Sequence, residues 1–273
     1  MAYNRALQLR SQSWLVRAVE RGRFRCPKMA ARHFIQRLFL LFAVVFGATA
    51  SGQPPEKFAK VAPGGVVLSV PPINGFRFPT EQESGNIYAA IAPFVLPKNR
   101  LLTVLLTDSD IRLISSGREP KLNSYFVLQV PRSTEGRVVT LGEFQSLRRG
   151  IREQQASAQL EISPNVKLQL AEASRVTTQR TGAKIRIEVS SPIPMGVFED
   201  TERSIGATFL SKWRAESGGT HSDDLMLSAS VATIVRGKLL YLNGSCTFRS
   251  IEDVSTCNNL VKDWLSALHH SNP

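Results

Sequence analysis

From residue 66 onward, apolar positions come in short runs and periodic stripes. Val66-Val67-Leu68-Ser69-Val70 reads as a strand stopped by Pro71-Pro72, because proline donates no ladder hydrogen bond. Asn86 to Ile91 reads as a helix ending before Pro93. Leu101 to Leu106 is apolar at every position but Thr103, as expected of a strand covered on both faces. Thr107 and Asp110 have helix-capping spacing, and Ile111, Leu113 and Ile114 follow before Gly117. Tyr125 to Val130 is a further strand, closed by Pro131. Thr140 and Glu143 repeat the capping spacing, and Leu141, Phe144, Leu147 and Ile151 make one helix face.

Beyond residue 160 the pattern changes to period two. Val166, Leu168 and Leu170 alternate with polar residues, as do Ile185, Ile187 and Val189, and both stretches predict strands with one wet face. Ile205, Ala207 and Phe209 alternate similarly. Leu225–Val235 and Lys238–Cys246, joined by Arg236-Gly237, predict a hairpin. Ser250 and Asp253 then open a helix whose stripe is Val254, Cys257, Val261, Trp264 and Leu268. The expected fold is α/β of the α+β type. A mixed, largely antiparallel sheet carries helices packed on it, with a long C-terminal helix lying on the sheet. One domain over 66–273 is the simplest division; two smaller halves meeting near 158–165 are the alternative. Residues 51–65, rich in Pro, Lys and Gly, form a flexible lead-in.

Charge changes the reading of the first 50 residues. They hold nine of the 34 basic side chains and one of the 22 acidic ones, a net of +8 out of +12. The body is therefore only mildly basic, and a nucleic-acid partner is not expected. Leu38 to Ala48 is an unbroken apolar run behind Arg32 and Arg37, followed by Ala48-Thr49-Ala50 and the polar Ser51. A cationic flank, a short apolar core and a small-x-small site make residues 1–50 a secretory signal, cleaved between Ala50 and Ser51. Met29 would open a compact leader at 29–50. An uncleaved membrane anchor and an organelle presequence are the alternatives; membrane contact is expected only through a retained leader. The expected location is periplasmic or secreted.

Candidate chemistry is sparse. Removal of the leader, with Cys26, leaves Cys246 and Cys257, which either bridge or serve as two small buried hydrophobes. Their separation makes the Cα spacing marginal for a bond. His221-Ser222-Asp223-Asp224 gathers metal-capable groups, but as a solvated polar turn; no metal is expected. His269 and His270 fall where a tail frays. Ser245, His221 and Asp253 can be assembled into a triad only on paper, since no G-x-S-x-G occurs. Asn243-Gly244-Ser245 is also a glycosylation sequon. Asp108 and Asp110 suit a helix start, and Glu199 and Asp200 a loop. Arg148, Arg149 and Arg152 read as the wet side of a helix. Neither a Walker sequence nor G-x-G-x-x-G occurs, so no cofactor is expected and no catalytic residue is assigned.

Gly237 to Leu242, then Ser250-Ile251-Glu252-Asp253 and a helix holding Trp264, resemble the end of exported PsbP-like α/β/α domains. Asn99-Arg100-Leu101-Leu102 resembles the central strand of a set of uncharacterised bacterial envelope proteins. The resemblance implies a binding or accessory role with an envelope partner or ligand, and transfers no functional residue. The expectation is an exported soluble envelope protein, non-catalytic. An exported hydrolase with an unrecognised site and a membrane-tethered interaction domain are the alternatives.

Overall fold

Two long strands linked by Arg236-Gly237 form the middle of the molecule. Both linking residues have positive φ, 47° and 76°, so the turn is of the primed kind whose twist matches the flanking strands. The computed structural model describes residues 58–116, 122–156, 161–162, 164–181, 184–217 and 219–273. In chain order the elements are β1 (Ala59–Val61), β2 (Leu68–Val70), β3 (Phe76–Arg77), α1 (Glu81–Ile91), β4 (Asn99–Thr107), α2 (Asp108–Ser115), β5 (Ser124–Pro131) and α3 (Arg132–Glu135). They continue with α4 (Leu141–Ala156), α5 (Pro164–Thr181), β6 (Ile185–Val189), β7 (Ile193–Asp200), β8 (Ser204–Ser217), β9 (Thr220–Val235), β10 (Lys238–Thr247) and α6 (Glu252–His270).

The main sheet runs β3-β4-β5-β10-β9-β8-β6, with β7 also paired to β8, and every pairing among the described residues is antiparallel. β6 and β7 lie end to end along β8, opposite Ser217–Trp213 and Leu210–Ile205. Between them Ser190 bonds Lys212 twice, through its own N–H and through its hydroxyl. β10 joins the early strands to the late ones, so a single sheet spans both halves of the sequence.

Parity along the strands decides the two layers. Phe126, Leu128, Leu242, Val231 and Leu227 face α6, whose Cys257, Val261, Trp264 and Leu268 lie on them fully buried. The β1–β2 ribbon joins this side. Trp264 Nε1 donates to the Pro71 carbonyl at 3.0 Å, and Asn272 bonds both the N–H and the carbonyl of Ser69. The opposite face carries α1, α2, α4 and α5 over three separate apolar groups. Val104, Leu106 and Val127 meet Ile87 and Ile111; Ile205, Ala232 and Leu239 meet Phe144; and Ile185 and Ile187 meet Leu170 and Ala173.

Most caps follow the sequence signals. Glu143 N–H donates to Thr140 Oγ1 at 3.3 Å, while Thr140 N–H donates to Glu143 Oε2 at 2.9 Å, a reciprocal capping box. Thr80 and Glu83 make another, so α1 opens five residues before the expected Asn86. Three expectations fail. Val166, Leu168 and Leu170 are not a strand but part of α5. Pro164 is pre-organised for a helix start, and Val166, Leu170 and Ala173 share a helical face while Leu168 is 70% exposed. The lead-in to Gly65 is partly built in, with β1 paired to β2 and both Val61 and Pro63 buried. His221 to Asp224 and Glu199-Asp200 lie within β9 and β7 rather than in loops. Residues 1–50, with the Ala50/Ser51 cleavage site, and Gly117 lie outside the described residues.

Candidate functional site

A concave site does gather a histidine with acids and hydroxyls, but the histidine is His269. The turn from β7 into β8 folds tightly: Ser204 N–H donates to Thr201 Oγ1 at 3.0 Å, and Thr201 N–H to the Ser204 carbonyl at 2.8 Å. That turn faces the second half of α6. Lys262, Leu265, Ser266 and His269 recur there at helical spacing and so share one side. Between turn and helix lies a shallow depression of about 610 Å³. Glu199, Glu202 and Asp263 give it negative charge, and Arg203 and Lys262 positive charge.

The hydrogen bonds fix the chemistry of His269. Thr233 Oγ1 donates its one proton to the Arg203 carbonyl at 3.0 Å. It lies 2.9 Å from His269 Nε2 and 2.8 Å from Ser204 Oγ, so in both contacts it must accept. While Thr233 donates to the Arg203 carbonyl, His269 must present its proton on Nε2, and Nδ1 keeps the lone pair of the neutral ring. Ser204 Oγ is also 3.5 Å from Nε2, at the limit of a hydrogen bond. A nucleophilic serine must give its proton to the histidine and meet substrate. Ser204 faces a nitrogen that already donates, and both Ser204 and Thr233 are buried. Burial, followed by the nearby Arg203 charge, holds the His269 pKa below its ordinary value and favours the neutral ring. The arrangement suits ligand contact through Nδ1, Ser266 and the surrounding charges better than acyl transfer.

The residues singled out from the sequence are placed elsewhere. Cys246 on β10 and Cys257 on α6 stand at disulfide-bonding distance, with Cα atoms 6.2 Å apart, inside the usual range. His221 is exposed on β9 opposite Glu216. Asp223 beside it is taken by Arg214 at 2.8 Å and Lys212 at 2.7 Å, which pull its carboxyl to about 2. Among the described residues no group of three His, Cys, Asp or Glu could hold a metal. Ser245 lies opposite Ser228, seven residues along β9 from His221, or about 24 Å at strand rise. Asp253 accepts from the N–H groups of Arg249 and Ser250 at the start of α6. The set that could be drawn on paper is therefore not brought together. Asn243 sits in a strand paired on both sides, not in the exposed loop a sequon prefers.

The basic cluster has a partner the sequence did not reveal. Arg148 and Arg152 both close on Asp200 of β7, at 2.6 Å each, while Arg149 is exposed. Asp108 pairs with Arg77. Asp110 is buried and accepts from the Thr107 hydroxyl at 2.7 Å and from Leu122 N–H at 3.2 Å. His269 was the residue misjudged: the tail is not frayed, because Asn272 anchors it to Ser69. Its position four residues after Leu265 was the available signal, since Leu265 is buried and turns that side of the helix toward the sheet. No known protein family matches this chain, and neither does any characterised protein.

Proposed function

We propose that this chain is an exported envelope protein with a binding or accessory role, and that the His269 depression is its docking surface. The observation that carries the reading is the committed hydrogen-bond network. Both hydroxyls beside the histidine are buried, Thr233 bonded to the Arg203 carbonyl and Ser204 to Thr233, while charged groups and Ser266 line the open side. Such a surface offers hydrogen bonds and ion pairs to a ligand, and the two hydroxyls nearest the imidazole are withdrawn from it.

The paired cysteines support export, because disulfides persist chiefly in oxidising compartments. The apolar run at Leu38–Ala48 supports it independently. Helices on both faces of an antiparallel sheet support the proposed likeness to PsbP-like domains.

Cell fractionation and mass spectrometry of the recovered protein test the reading. The expected product begins at Ser51, lies in the periplasmic or secreted fraction and has no titratable thiol. Full-length protein retaining Met1 with free thiols in the cytosol would overturn it, whereas a retained leader in the membrane fraction would favour a tethered domain. Ester or peptide hydrolysis that disappears in Ser204→Ala would return the protein to the hydrolases.

A further inference from the structure

Among the described residues the apolar groups on the face of the sheet beneath α1, α2, α4 and α5 are separate rather than continuous. Between its three apolar groups lie the middles of β5, β10, β9 and β8. There the two faces of the same strands differ sharply. Leu240, Leu242, Leu227 and Val231 are fully buried toward α6. On the reverse side Tyr241, Asn243, Ser245, Ser228, Ser230 and Phe209 are only half-buried. An antiparallel sheet with one face on the core turns polar side chains outward where its other face meets water. These strands present hydroxyls, an amide and aromatic rings.

The register brings the six together. Asn243 lies opposite Ser230, Ser245 opposite Ser228, and Phe209 opposite Ser228 on the far side. Directly opposed side chains stand about 5 Å apart at Cβ. From β10 to β8 the patch measures about 10 Å, and from Tyr241 to Ser245 about 14 Å. Tyr125, opposite Ser245, hydrogen-bonds to it. At the border, Asn99 Nδ2 donates to Gln129 Oε1 at 2.9 Å, and Gln129 lies opposite Tyr241. The buried Asn99 Oδ1 has no partner among the described residues.

The chemistry of the patch narrows its occupant. None of the positions facing this way in Tyr125–Gln129, Ala207–Ser211, Ser228–Ala232 or Tyr241–Ser245 is an acid, lysine, arginine or histidine. A charged ligand would lose water without gaining a countercharge. A purely apolar one would leave the hydroxyls and the amide unpaired. A peptide strand needs free backbone groups at a sheet edge, and β10 and β9 are paired on both sides. Hydroxyl-rich, uncharged molecules match Ser and Asn groups that both donate and accept. The rings of Tyr241 and Phe209 offer flat apolar surface to the C–H faces of such a molecule.

We propose that this patch is a binding site for an uncharged saccharide of two or three rings. It lies on the opposite face of the sheet from the His269 depression and stands independently of it.

Calorimetric titration of the folded protein with maltotriose, cellotriose and chitotriose tests the proposal. At least one should bind, with a Kd that does not change between about 50 and about 500 mM NaCl, because no charge takes part. Asn243→Leu and Ser230→Ala should each weaken that binding at least about 10-fold, with unchanged unfolding midpoints. The second variant keeps the test decisive if the first does not fold. Lack of binding by all three probes up to about 10 mM would overturn it, as would affinity that falls with salt or that survives both substitutions.

Discussion

Replacing Gly244 by alanine should destabilise the protein by about 3 kcal/mol, at the upper end of the overpacking range. A Cβ at this position would stand 2.7 Å from Phe126 Cε1 and 2.7 Å from Val261 Cγ2. Carbon atoms in contact prefer about 3.5–4.0 Å, so the neighbours must retreat by about 1 Å. Neither does so easily. Val261 belongs to α6, which Cys257 holds to Cys246 two residues along the same strand. Phe126 is wedged edge-on between Phe76 at 4.8 Å and Trp264 at 6.1 Å. Denaturant unfolding should show a lower midpoint with an unchanged slope. Val261→Ala removes one clashing methyl and costs about 2 kcal/mol alone. In the Gly244→Ala background it should cost less by about 1 kcal/mol, a positive coupling. A loss under about 0.5 kcal/mol for Gly244→Ala, or strict additivity with Val261→Ala, would refute the claim that strand and helix touch backbone-close here.

Three further outcomes are expected. Cys246→Ala/Cys257→Ala should lose about 3 kcal/mol of unfolding free energy for a sequence separation of 11, measured by denaturation under non-reducing conditions. Burial acts to raise the Glu83 pKa, but Arg77 and the Thr80 N–H outweigh it and bring it from 4.5 to about 2. Glu83 therefore contributes stability that is complete above 4.5 and disappears as pH falls toward 2. Partial solvent access reduces this contribution to about 1–2 kcal/mol, and Glu83→Gln should flatten the acid limb of a stability–pH curve. For His269, burial and then Arg203 lower the folded pKa from 6.5, so the unfolded chain binds the proton first. Stability should be highest above 6.5 and fall as pH drops below it, and His269→Gln should remove that component in urea melts at about pH 7.5 and 5.5.

Elements whose signal lies within a few residues were legible. Arg236-Gly237 announced its hairpin, Thr140 and Glu143 their cap, and the spacing Cys257, Val261, Trp264, Leu268 the buried side of α6. Short windows mislead where two periods coincide. Val166 and Leu170 fit both an alternating strand and successive turns of a helix; only Ala173 and the exposed Leu168 separate the cases. The candidate site was illegible for another reason. Thr233, Ser204 and His269 come from three elements, with 36 and 65 residues between the hydroxyls and the ring. No local pattern encodes which strand a helix end will meet. The cysteine pair was half legible: both residues face the core by parity, but the sequence left their spacing marginal until β10 and α6 were placed.

The bond between Asn272 and Ser69 spans 203 residues. The β1–β2 ribbon is thus held by a segment synthesised 203 residues after the strand it secures. Until Trp264 has been made the Pro71 carbonyl has no indole N–H to accept, and until Asn272 follows Ser69 has no amide partner. Closure of the ribbon should therefore be a late event of high contact order, slow relative to formation of the central hairpin. Loss of the Asn272 amide would loosen the ribbon, though the cause lies 203 residues away along the chain.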